Sequence, residues 1–120
     1  MADELSMTDM VTSGLDATLG FDYSTISGDG SVASFEAGAV HHQPYGIVHG
    51  GTYCALVESL ASVSAAKWLQ DKGLPASVVG VNNSTDFLKA VRSGRVTGRA
   101  VPIHRGRSQQ LWPVSYTHLR

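Results

Sequence analysis

Between Gly50 and Ala66 the chain carries a single charged residue, Glu58. Small residues flank it, with Cys54, Ala55, Ala61 and Ser62 about one turn to either side. If this stretch is a buried helix, desolvation opposes ionisation of the carboxyl, and Glu58 becomes a candidate general base or nucleophile. The competing reading is a solvent-facing Glu on an amphipathic helix, although the flanking residues offer hardly any polar face. Ser62 follows at i+4, the spacing that stacks two side chains on one helical face. Its hydroxyl could orient the carboxylate or a water, or bond back to its own helix.

Gly50 and Gly51 stand where such a helix begins, at the end that gathers unpaired N–H groups and the positive pole of the dipole. Glycine lets a ligand approach that backbone closely. The arrangement suits a carbonyl oxygen acquiring negative charge, where one such donor is worth roughly 3 kcal/mol in a transition state. A plain loop-to-helix glycine is the alternative. Gln43 could donate an amide hydrogen to the same oxygen, and His49 flanks the loop. His41, His42 and His49 are potential metal ligands, yet no carboxylate lies close in sequence to complete a site, so no metal is expected. Cys54 is the only cysteine, which excludes a disulfide framework and a thiolate zinc site.

A second constellation is basic. Arg92, Arg95, Arg99, Arg105 and Arg107 could recognise phosphate, most tightly in the run His104-Arg105-Gly106-Arg107-Ser108, which joins guanidinium forks, a hydroxyl and open backbone. They could equally be the solvated charges of a sheet edge. Other patterns fail. Gly28-x-Gly30-x-x-Ala33 leads into a strand and not a helix, so it is no dinucleotide fingerprint. Ser64-Ala-Ala-Lys67 is too short to be informative, and neither a nucleophile elbow nor a phosphate loop is present.

The elements that must position these residues follow from periodicity. Residues 1–14 read as a lead-in, frayed or briefly helical. From Leu15 to Val40 the pattern is strand-like, with Ser31–Glu36 alternating after a Gly28-Asp29-Gly30 hairpin turn. Leu56, Leu60 and Val63 at i, i+4, i+7 predict one helix over Thr52–Gln70, closed by Gly73-Leu74-Pro75. Short β-rich runs follow at Ser77–Val81, Thr85–Leu88, Arg95–Pro102 and Ser108–Trp112. One long helix followed by consecutive antiparallel strands describes an α+β domain of helix on sheet. Pro113 then interrupts what should be a strand.

Composition agrees with one globular domain: 120 residues, 42% apolar, 16% charged. A chain this size buries only about two thirds of its unfolded surface, so self-association would help it. The net charge of −1 argues against a nucleic-acid or membrane-surface partner, but it hides an asymmetry. All Lys and Arg lie from Lys67 onward, leaving −8 before that point and +7 after it. Either the halves pair in space, or the basic half faces an anionic ligand. No apolar run approaches the roughly 18 residues of a membrane span, and the acidic start is unlike a signal peptide, so a cytoplasmic protein is expected.

The run His41-His42-Gln43-Pro44-Tyr45-Gly46-Ile47-Val48-His49-Gly50-Gly51, with Glu58 and Ser62 after it, resembles the hotdog-fold acyl-CoA thioesterases of the PaaI-like group. The likeness is greatest to those acting on 4-hydroxybenzoyl-CoA and 1,4-dihydroxy-2-naphthoyl-CoA. Val91–Val96 and Pro102–Trp112 continue it, so it covers about residues 15–112. The resemblance implies a long central helix wrapped by an antiparallel sheet, homodimers or homotetramers with sites between subunits, and hydrolysis of an aromatic acyl-CoA without a cofactor. It further implies that Gly50 N–H and Gln43 polarise the thioester carbonyl. Glu58 of the facing subunit would attack or activate water, Ser62 would assist, and His49 would line the acyl site. Arg105, Gly106, Arg107 and Ser108 would hold the nucleotide end of coenzyme A. A non-catalytic acyl-CoA-binding module is the alternative function. The chain leaves the pattern at 113–120, an atypical and artefact-like tail, so the last strands are expected to be truncated.

Overall fold

A computed structural model describes residues 6–119. Residues 1–5 of the expected lead-in, and Arg120 of the tail, lie outside the described residues. The lead-in is helical: α1, Met7–Thr12, begins where the Ser6 hydroxyl accepts the Asp9 N–H at 3.1 Å. A second short helix, α2 (Gly14–Leu19), ends at Gly20 in the left-handed region, with φ +68°. This overturns the strand-like reading of residues 15–19. Six residues are too few for a period of 3.6 to be separated from alternation.

The hairpin is as expected. Strands β1 (Asp22–Thr25) and β2 (Val32–Ala37) pair antiparallel around Gly28–Asp29, where the Gly30 N–H donates to the Ser27 carbonyl at 3.1 Å. Helix α3 runs from Gly50 to Asp71 and contains the helix expected over 52–70. Strands β3 (Gly94–Ala100), β4 (His104–Arg105), β5 (Gln110–Leu111) and β6 (Val114–Leu119) follow. The main sheet has the order β1-β2-β3-β6, antiparallel throughout, and β4-β5 form a separate ribbon.

The expected layering, one long helix on an antiparallel sheet, is realised by period-2 burial. Ala33 and Phe35 of β2 and Val96 and Ala100 of β3 are buried together with Leu56 and Leu60 of α3. Gly98, between the two buried β3 residues, sets the approach. A Cβ there would stand 2.6 Å from Leu60 Cδ1 and 3.0 Å from Leu56 Cδ2. Any side chain at 98 would force Leu56 and Leu60 to repack.

Two expected strands are absent. Ser77–Val81 and Thr85–Leu88 have β-favouring residues, but residues 75–92 form no ladder with any described strand. Strand preference is realised only through pairing and packing. Here the segment lies along α3 instead, with Asn83 Nδ2 donating to the Cys54 carbonyl at 2.9 Å. The run expected over Ser108–Trp112 shortens to β5. Pro113 sits between β5 and β6, where no ladder donor is required, and its carbonyl accepts the Val101 N–H at 2.9 Å. The segment after it forms β6 and pairs along β3 from Val114↔Ala100 to Leu119↔Arg95. The charge asymmetry is partly internal pairing. Glu36 bonds Arg95 at 3.2 Å across β2 and β3, and Asp29 bonds Arg105 at 2.9 Å.

Candidate functional site

The loop before α3 is tied by its own backbone. The Gln43 N–H donates to the Ile47 carbonyl and the Gly46 N–H to the Gln43 carbonyl, both at 2.9 Å. The side-chain oxygen of Gln43 accepts the Tyr45 N–H, which leaves the Nε2 hydrogens unused. His49 is the N-cap of α3, its Nδ1 accepting the Gly51 N–H at 2.7 Å. The Gly50 N–H, by contrast, has no partner among the described residues. A helix N-terminus with one donor free is suited to hold a polarised carbonyl oxygen.

The other two histidines of this loop are structural. His41 is buried against Phe35 at 4.5 Å between ring centroids. The Gly38 N–H donates to its Nδ1, so Nε2 carries the hydrogen and donates to the Leu19 carbonyl at 2.7 Å. His42 Nε2 donates to the Arg92 carbonyl at 2.8 Å. Both rings thus hold carbonyls of distant segments.

Glu58 is exposed on the single chain, which corrects the expectation of a desolvated carboxyl. It has neither ion pair nor hydrogen bond among the described residues, and the Ser62 hydroxyl is likewise unpartnered. Both line a cleft of about 750 Å³ between α3, residues 80–89 and β6. The segment 80–87 runs antiparallel to α3 along this cleft: Gly80 lies by the Glu58 carboxyl, Asn83 by Cys54, and the Phe87 ring against Gly50. Sequence reasoning missed this cover. Its one signal was Phe87, a lone aromatic after the polar run Asn82–Asp86. Tyr53 also lines the cleft, stacked on Tyr116 at 4.4 Å and 11°. It is buried, its hydroxyl has no partner, and burial pushes its pKa up.

Asp16 was also missed, because a lone Asp after Leu15 reads as surface. Its carboxyl is buried between three elements: Oδ1 accepts the Ser59 hydroxyl of α3 at 2.6 Å, and Oδ2 accepts the Tyr23 hydroxyl of β1 at 3.3 Å. Burial raises its pKa above the ordinary 3.8, against the opposing pull of the two hydrogen bonds. Tyr23 is pushed up by burial first and by the Asp16 charge second.

Gly50 and Glu58 are eight residues apart on one helix, a rise of about 12 Å. A carbonyl held by the Gly50 N–H therefore cannot reach Glu58 of the same chain.

Residues 45–116 match the family model of the thioesterase superfamily. The Mycobacterium tuberculosis protein Rv1847, which carries an esterase name, is 48% identical over 107 residues, covering 89% of this chain and 76% of that one. The chain belongs to the thioesterase superfamily. A solved structure of Rv1847 superposes with a TM-score of 0.81 at 47% identity, over 86% of this chain and 82% of that chain. The 1,4-dihydroxy-2-naphthoyl-CoA hydrolase of Listeria monocytogenes is 33% identical over 104 residues, 87% of this chain and 82% of the relative. Thioesterase HI1161 of Haemophilus influenzae superposes with a TM-score of 0.82 at 28% identity, covering 97% and 81%. The protein is thus a thioester hydrolase with the hotdog architecture that the resemblance implied.

In this thioesterase the basic turn Arg105–Ser108 is the tip of the β4-β5 ribbon and does not line the cleft beside Glu58. Arg105 is committed elsewhere. It donates to the Gly28 carbonyl at 2.8 Å, pairs with Asp29, and lies 6.0 Å from the Trp68 ring centre. Arg107 and Ser108 are exposed, and neither has a partner among the described residues. Among the described residues no helix is long and apolar enough to cross a membrane.

Proposed function

We propose that the protein hydrolyses an aromatic acyl-CoA thioester of the benzoyl, phenylacetyl or dihydroxynaphthoyl type, in sites formed between two copies of the chain. The observation that carries this reading is the pair of unpartnered groups on α3. The free Gly50 N–H, with the unused Gln43 amide on the loop that leads into the helix, can polarise a carbonyl, and a free carboxylate lies about 12 Å along the same helix. Two copies with their α3 helices antiparallel would bring Glu58 of one opposite Gly50 and Gln43 of the other, completing two equivalent sites. Glu58 then attacks or activates water, Ser62 steadies the carboxylate or the water, and His49 holds the helix start that presents the donor. The name of the Listeria relative supports the aromatic substrate class. Arg107 and Ser108 are free to meet phosphate at the nucleotide end of coenzyme A, with Gly106 opening the turn and Arg105 bracing it.

The test is thiol release from benzoyl- and naphthoyl-type CoA thioesters by the wild type, Glu58→Ala, Gln43→Ala and a mixture of the two variants. Each variant alone should lose about 10²–10⁴-fold of activity. After subunit exchange the mixture should regain about a quarter of the wild-type rate, because half of the dimers are mixed and each carries one intact site. Active single variants, or a mixture no better than its parts, would overturn the shared site. Coenzyme A binding without any thiol release would establish the binding module instead.

A further inference from the structure

A second, smaller cavity of about 180 Å³ lies on the other flank of the catalytic helix, between α3 and the two N-terminal helices. Its polar wall consists of two carboxyls, Asp16 and Glu58, and three hydroxyls, Ser13, Ser59 and Ser62. Among the residues lining the two cavities, Glu58 and Ser62 alone belong to both. The larger cleft has room for an acyl group. The smaller does not, but it has room for several waters and is lined by polar groups that can bond them. Asp16 cannot swing away, being 9% exposed and held by Ser59 and Tyr23.

We infer that this pocket delivers the hydrolytic water to Glu58, and that Asp16 is a positioning residue that keeps water there. The inference rests on the thioesterase reading of Glu58 given above. A bound acyl group covers Glu58 from the cleft side and screens it from bulk solvent there, so the water consumed in each turnover arrives from the opposite flank. The water oxygen bonds to the thioester carbonyl carbon while its proton passes to the Glu58 carboxylate. The C–S bond then breaks, and the same proton passes to the leaving thiolate, giving free acid and thiol. If Glu58 first takes the acyl group, the water that hydrolyses the anhydride comes by the same route.

Met10 and Leu15 also line the pocket, from α1 and α2, and neither belongs to the catalytic machinery. Met10→Trp and Leu15→Trp fill it from two directions. Leu15 is largely exposed, so its replacement does not threaten the fold. Each should lower kcat about tenfold, while KM and the affinity for a non-hydrolysable acyl-CoA thioether stay unchanged. Asp16→Asn, which adds no volume, should lower kcat less, again with KM unchanged, and Met10→Leu should restore the wild-type rate. If both Trp variants keep kcat within twofold of wild type while Glu58→Ala is inactive, the water route is wrong and the thioesterase reading stands. A wild type that releases no thiol would overturn both.

Discussion

The two halves of α3 are built from the same kinds of residue and end in opposite states. Toward the C-terminus, from Val63 onward, the buried polar group is spent on the fold. Ser64 is fully buried, and its hydroxyl accepts the Ser31 N–H at 3.0 Å. Four residues on, the Trp68 backbone packs so tightly on the hairpin turn that a Cβ at Gly28 would stand 2.8 Å from it, and Arg105 closes over the indole. Between Gly50 and Ser62 the Gly50 N–H, the Glu58 carboxyl and the Ser62 hydroxyl are left without partners among the described residues. Satisfied polar groups stabilise the fold, whereas unsatisfied ones beside a cleft are available to a reacting molecule. One helix thus separates stability from chemistry along its length.

The largest effects should break this contrast cleanly. Glu58→Ala should remove about 10²–10⁴-fold of thiol release and leave the melting temperature unchanged, because the carboxyl holds nothing in place. The two serines make the sharper comparison. Ser64→Ala orphans the buried Ser31 N–H, so it should cost about 1–3 kcal/mol by denaturant unfolding with kcat intact in the folded fraction. Ser62→Ala should do the reverse, lowering kcat on the order of 10²-fold at unchanged stability. If both variants lose stability equally, the division of α3 is wrong.

Much of this division is legible in the sequence. The Leu56, Leu60, Val63 stripe gives α3 to within two residues at its start, and Gly28–Asp29 with the alternation after it gives the β1-β2 hairpin. Gln43, Gly50, Glu58 and Ser62, each with a group left unpartnered, and the cap His49 stand out in the sequence because each is an odd residue in its surroundings. What is lost is whatever depends on a distant partner. Ser77–Val81 has strand composition and no strand beside it. The ion pair of Arg105 with Asp29, 76 residues earlier and 2.9 Å away, has no signal in the sequence. Asp16 is invisible for the same reason, since only folding brings Ser59 and Tyr23 onto its two oxygens.

Asp16 extends the comparison to pH. Burial raises it above 3.8, so folding favours its protonated form. The groups that face it are Tyr23 from β1 and Ser59 and Glu58 from α3, and none supplies a compensating positive charge. The Asp16 contribution to stability is therefore complete below 3.8 and is lost as pH rises through the raised folded-state value. Asp16→Asn keeps the shape and an acceptor for Ser59 without the charge. Its stability relative to wild type should improve as pH rises above 3.8 and level off once Asp16 has ionised in the folded protein, read from denaturant midpoints. A difference that stays constant across this range would show that Asp16 titrates as it does in the unfolded chain.

Tyr53 is the smallest case and the most diagnostic, because it lies in the functional half yet is buried. Its ring stacks on Tyr116, and its hydroxyl is the one buried side-chain polar atom without a partner among the described residues. Leaving a hydroxyl in that state costs about 1–3 kcal/mol, so Tyr53→Phe should keep the stack and raise stability by up to about 1 kcal/mol. If removing the hydroxyl instead lowers stability by more than about 1 kcal/mol, the group is paired in solution, by a water in the cleft or by a residue of another copy. A loss that disappears on dilution to the single chain assigns the partner to another copy, and one that persists assigns it to water.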